Sequence, residues 1–187
     1  MVINDRYAEA RCVCKKYPLG IAIKIGIIVA TVILAFIGLT MGPLLSGTVF
    51  MLCGFGIFLL YFALWKYTTV EYEYLFLAGE FSVDKIYGAS SRKQVLNISF
   101  HQVELIAACN SDRIASYKNN PNYQMMNYTS GDQNKRRYSM ILNDKGKQIH
   151  LLIEPTAEML ELFYLSSPSK VFLEQDDINL IKNATRL

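Results

Sequence analysis

Few side chains in this sequence have the types and spacing that chemistry requires, and they are scattered. Cys109 can be paired on paper with His101 or His150, and Asp112 could orient the imidazole, the arrangement of an activated thiol nucleophile. His101 and His150 are the only histidines, and both fall in strand-like segments, where structural or exposed imidazoles are the simpler expectation. Cys12 and Cys14 form a C-x-C, tighter than zinc spacing and without a second pair nearby, so reduced thiols are expected there. Glu71 and Glu73 share one face of a strand-like run and could be read as paired carboxylates. A solvated face is the plainer expectation. Gly-rich phosphate loops, G-x-S-x-G and H-E-x-x-H are all missing from the sequence. The expectation is therefore a non-enzyme with no catalytic residue, no metal site and no cofactor.

Two basic clusters remain, Arg92-Lys93 and Lys135-Arg136-Arg137, each beside a strand-like segment. They are the candidate contacts to anionic headgroups or to a protein partner. A basic side chain near an anionic surface contributes about 1 kcal/mol. The alternative is that they only keep strand ends soluble. The formal net charge is +3 and is unevenly distributed. Residues 1–24 carry Arg6, Arg11, Lys15, Lys16 and Lys24 against Asp5 and Glu9, which accounts for all of it. Residues 66–187 are neutral overall, so nucleic acid is not an expected partner.

What would hold these residues at a surface is the apolar run. From Ile25 to Trp65 no side chain is charged. As one helix this would reach about 60 Å, roughly twice the hydrocarbon core of a bilayer. Thr40-Met41-Gly42-Pro43 and Ser46-Gly47 cut it, which predicts a hairpin with spans at about Leu19–Met41 and Leu44–Trp65. Lys24 can snorkel, and Tyr61, Trp65 and Tyr67 suit an interfacial belt. Arg11, Lys15, Lys16 and Lys66 flank the spans, whereas the connection has no Lys or Arg. Both termini are thus expected in the cytoplasm of a multi-pass protein of the cell membrane. A signal peptide fits poorly, because a second span follows at once. Gly26-x-x-x-Ala30 offers a close contact, within the hairpin first and in a homo-oligomer second. The spans hold no acidic residue or ion pair, so the hairpin is expected to anchor rather than transport.

After Trp65 the period changes to two. Val70, Tyr72, Tyr74 and Phe76 alternate with Glu71, Glu73 and Leu75, and Phe81 and Val83 follow an Ala78-Gly79 turn. Leu96, Ile98 and Phe100 continue the pattern toward Val103 and Leu105. Residues 110–137 read as a long polar loop. Strands return at Tyr138–Leu142 and Ile149–Ile153, joined by a turn at Asn143-Asp144-Lys145-Gly146. Thr156 can cap a helix reaching about Leu165, which Ser166-Ser167-Pro168 stops. Asn97, Asn127 and Asn183 begin glycosylation-type triplets, which a cytoplasmic side would leave unmodified. In Asp176-Asp177-Ile178-Asn179-Leu180-Ile181 a short helix and a partner-binding segment are equally compatible with the pattern.

This order resembles the bacterial pleckstrin-homology-like (PH-like) membrane proteins: two spans, a strand hairpin around Glu71–Ile86 with Glu80-Phe81-Ser82-Val83-Asp84, then Tyr138–Ile153 and a closing helix. It is also similar to small two-span proteins of Gram-positive anaerobes. The fold expected is a membrane α-hairpin plus a small α+β domain, an antiparallel PH-like sheet or barrel closed by a C-terminal helix. The expected division is 1–18, a basic cytoplasmic segment; 19–65, the hairpin; 66–167, the β domain; and 168–187, a tail. The resemblance implies a tethered module for protein interaction or assembly, with the lipid bilayer and a protein as partners. An accessory subunit of a larger membrane complex or transporter is the alternative role, and a membrane-embedded enzyme a third.

Overall fold

Alternation builds the first sheet as expected, with one strand more. The computed structural model describes residues 7–14, 18–40, 47–48, 51, 54–58, 61–62, 69–88, 91–118, 120–144 and 146–184. β2 (Val70–Leu77), β3 (Glu80–Tyr87) and β4 (Ser91–Ser99) follow the apolar alternation. Ala78 and Gly79 turn the chain between β2 and β3 at φ of 50° and 83°, the paired left-handed geometry of a tight hairpin. The added strand is β1 (Tyr7–Val13), in residues expected to form only a basic segment. It pairs antiparallel with β2, from Tyr7↔Leu77 to Val13↔Glu71, and the sheet order is β1-β2-β3-β4. Its inward side chains, Ala8, Ala10 and Cys12, are small and buried. Outside, Arg11 lies opposite Glu73 and pairs with it at 2.7 Å. Glu73 is therefore buried rather than solvated, while Glu71 is partly exposed.

The second sheet has the order β6-β8-β7-β5-β9, formed by β5 (Val103–Ala108), β6 (Gln124–Asn127), β7 (Tyr138–Asp144), β8 (Lys147–Ile153) and β9 (Val171–Phe172). β7 pairs antiparallel with both β5 and β8, but β6 and β9 add to the edges in parallel. The expected single sheet or closed barrel is thus two sheets, not wholly antiparallel, and among the described residues no sheet closes. The expected long loop 110–137 has structure of its own. A 3-10 turn, α2 (Ala115–Lys118) and β6 lie within it. Ile114 is fully buried against Ala107 and Ile141, flanked by Leu105, Tyr117, Tyr123 and Phe172. The excursion therefore covers the outer face of the second sheet. Burial on both faces is why Tyr138-Ser139-Met140-Ile141-Leu142 are all buried and hardly alternate.

α3 (Ala157–Ser166) closes the core as expected. Thr156 caps it, its hydroxyl accepting from the Met159 amide at 3.3 Å. Met159, Leu160 and Phe163 are its buried face. The Phe163 ring lies 5.2 Å from those of Phe76 and Phe100 and 5.6 Å from Phe81. Such ring pairs contribute roughly 0.5–1.5 kcal/mol each beyond burial. α3 is not the last element. β9 and α4 (Gln175–Ala184) follow, so the expected tail is folded.

By contacts the chain divides into two units, 1–15 with 71–85 and 93–187, and 16–70 with 86–92. In the second unit α1 (Pro18–Thr40) matches the expected first span closely. Its window Gly20–Ile37 has a mean hydropathy of 2.6 and is 6% buried, long and apolar enough to cross a membrane. The described residues between 47 and 62 are helical and expose Met51, Phe55, Phe58 and Phe62. Among the described residues, a methyl group added at Gly26 would meet no atom within 4 Å. The turn at Met41-Gly42-Pro43, the flanking Lys15, Lys16 and Lys66, and Cys53, Trp65 and Tyr67 lie outside the described residues.

Candidate functional site

The basic residues expected to make external contacts have different surroundings. Arg92 and Lys93 are exposed in the first half of β4. Lys135 and Arg137 are exposed just before β7, and Arg136 is half-buried. Arg136 is committed to the tail. Its guanidinium bonds Asp177 and lies 3.1 Å from Asp176 and 3.8 Å from Glu174. Asp177 is fully buried and also accepts from the Tyr138 hydroxyl and, at 2.8 Å, from the Glu174 amide. A buried carboxylate is tolerable when its lone pairs are filled in this way. Burial, reinforced by the hydrogen bond to Asp177, pushes the Tyr138 phenol above its ordinary range, so it stays a donor.

Lys135 borders a second buried group. Glu154, just past β8, lies 4.0 Å from the Lys135 ammonium. The Glu154 carboxylate accepts from the Cys12 thiol at 3.0 Å, the Ser130 amide at 3.0 Å and the Ser130 hydroxyl at 2.9 Å. Cys12 belongs to the first sheet and Glu154 follows the second, so this network ties the two together at one end. Burial first, then the bond to Glu154, pushes the Cys12 thiol up to about 12. Held protonated, it is a donor rather than a nucleophile or metal ligand. Cys14 is also raised, chiefly by burial, and donates weakly to the Thr129 carbonyl at 3.5 Å.

Cys109 and His150 do come together, but through a third residue. The Ser139 hydroxyl lies 2.9 Å from His150 Nε2 and 3.4 Å from Cys109 Sγ. Ser139 and His150 are buried on the outer face of the second sheet, beneath the 110–127 excursion, while Asp112 is exposed. Burial, with help from the charge of Lys118, lowers the His150 imidazole below its ordinary value. This chain of atoms has the order of a relay, with Ser139 and His150 buried and Cys109 partly exposed. Among the described residues no group of three or more His, Cys, Asp or Glu could hold a metal ion.

An open, largely apolar groove lies elsewhere. Its volume is about 540 Å³, and it is lined by Glu161, Tyr164 and Leu165 of α3, Phe172 of β9, and Ile178, Ile181 and Lys182 of α4. Ligand sites commonly have roughly this size. Sequence reasoning missed this groove, Glu154 and Asp177 alike. The amphipathic pattern of residues 175–184 was the available signal for the groove.

Two sheets and a capped helix packed on an aromatic core fit a PH-like α+β module. The chain matches the family described as "Bacterial PH-like domain (DUF6106)" over residues 4–173, and it belongs to that family. The match includes β1, the apolar segment and both sheets. No curated protein and no solved structure matches it.

Proposed function

We propose that this chain is an integral membrane protein, not an enzyme, in which a helical hairpin tethers a PH-like module to the inner face of the cell membrane. There the module serves protein interaction or assembly. The observation that carries this reading is the register of β1 on β2. Val13 pairs with Glu71, so the chain leaves and rejoins the module at neighbouring points. A segment pinned in this way crosses a bilayer an even number of times or not at all. α1 supplies one crossing of the right length, and residues 44–65 are the natural second.

Exposure supports the same reading. Ile28, Val32 and Phe36 of α1 are each more than 60% exposed, which water would disfavour and acyl chains would accept. A cleaved signal sequence fits badly, because β1 precedes α1 and supplies Ala8, Ala10 and Cys12 to the core. In this arrangement Arg92, Lys93, Lys135 and Arg137 orient the module by meeting anionic headgroups or a protein partner. Arg136 contributes less, since the tail already holds it. Reporter fusions at residues 1 and 187 test the topology. Both should report the cytoplasm, and an external signal from either end would sink the reading.

A further inference from the structure

The groove between α3 and α4 has a charge pattern that selects its occupant. Its floor is apolar: Tyr164, Leu165, Phe172, Ile178 and Ile181. Its acid, Glu161, is on α3, and its base, Lys182, is on α4. An anionic ligand would be better served by two cations, and an acidic or basic peptide by a rim of one sign. A two-fold axis along the groove exchanges the two helices. It therefore sets the Glu161 bank of one copy against the Lys182 bank of the other, twice.

Two of the lining side chains, Tyr164 and Leu165, are each more than 40% exposed, as is Leu180 of α4. Asp177 fixes the first turn of α4 through Arg136 and Tyr138, so one wall of the groove is held in place.

We propose that this groove is a self-association surface, and that the partner it takes is a second copy of this chain, docked isologously through α3 and α4. The proposal names a partner for the assembly role proposed above and rests on that role only. It does not depend on the membrane topology, so the reporter fusions and the association experiment can fail separately.

The test uses the full chain, purified in mild detergent and carried on two different affinity tags. Wild type should co-purify with itself. Glu161→Lys alone and Lys182→Glu alone should each lose self-association by about tenfold or more, since like charges then meet twice. A mixture of the Glu161→Lys chain with the Lys182→Glu chain should recover it, because both cross pairs are again of opposite sign. Glu161 already has a contact within its own chain, and this crossed design excludes that contact as the cause. Each variant alone has like charges at the two positions, so only pairing between chains can rescue. Leu165→Arg, at an exposed position, should abolish association while leaving the melting temperature of the chain unchanged. The proposal is overturned by a monomeric wild type, by single variants that associate normally, or by a mixture that fails to recover. A monomer with a lipid or a foreign protein seated in the groove overturns it as well.

Discussion

α1 and α3 are both rich in large apolar side chains, yet they treat those side chains in opposite ways. α3 buries Met159, Leu160 and Phe163 and turns Glu158 outward. α1 does not bury its apolar face in this way: Ile21, Ile25, Ile28, Val32 and Phe36 are exposed over one broad side of the helix, and Ile23, Ile27, Ala30 and Leu34 on the other side are only half-buried. Their threonines differ too. Thr156 gives its oxygen to an amide at the start of α3. Thr31 and Thr40 instead donate back to the Ile27 and Ile37 carbonyls at 2.8 and 2.9 Å, hiding their hydroxyls within α1. One helix takes its form from a core it must help to make. The other turns its two threonine hydroxyls back onto its own backbone and leaves its apolar side chains exposed.

The comparison can be broken most forcefully at α1. Val29→Arg together with Val32→Arg should cost about 3 kcal/mol each near the centre of a span. Carbonate extraction should then release the protein from membranes, and full retention would end the contrast. Next in size is Phe163→Ala, which empties the aromatic cage and should cost about 3–5 kcal/mol in denaturant unfolding. A loss below 1 kcal/mol would mean that α3 is not part of the core. Thr156→Ala removes a single cap and should cost about 1 kcal/mol, visible as a lower melting temperature.

A smaller effect separates the two regions by pH, because only the folded module carries a buried imidazole. Its affinity for a proton is lower in the folded protein than the ordinary 6.5 of the free side chain. As pH falls through that value the unfolded chain takes up the proton first. The stability due to neutral His150 is therefore complete above about pH 6.5 and declines below it, until the folded imidazole also protonates. His150→Gln should flatten that part of a melting-temperature profile, and an unchanged slope would count against the burial argument. The smallest expected effect is Thr31→Val. It should leave membrane integration unchanged, and a measurable drop would show that the hydroxyl meets something other than its own helix.

What the sequence made legible was whatever its local period could carry. Val70 to Phe76 announced β2, Thr156 announced α3, and the charge-free run announced α1. β1 escaped because its buried residues, Ala8, Ala10 and Cys12, are small and alternate with Glu9 and Arg11, so the stretch reads as a basic lead-in. Its partner also lies across the whole apolar segment. Glu154 and Asp177 escaped for a similar reason. Nothing near either residue marks it as buried, and the donors that make burial tolerable are distant, with Cys12 separated from Glu154 by 142 positions. The expected loop 110–137 shows the opposite error. Polar composition concealed one residue, Ile114, that fastens the excursion to the second sheet. Arg136 was picked out as a cation, but the tail that engages it was left undecided.

The pairing of β1 with β2 also imposes an order of events during synthesis. β1 leaves the ribosome first of the described strands, with its hydrogen-bonding edge unsatisfied. Its partner does not exist until residues 14–69 have been made, several seconds later at roughly 5–20 residues per second. The first strand produced thus waits for the apolar insertion to be completed before the sheet can zip. A finished first sheet is then a record that the whole intervening segment has already been made.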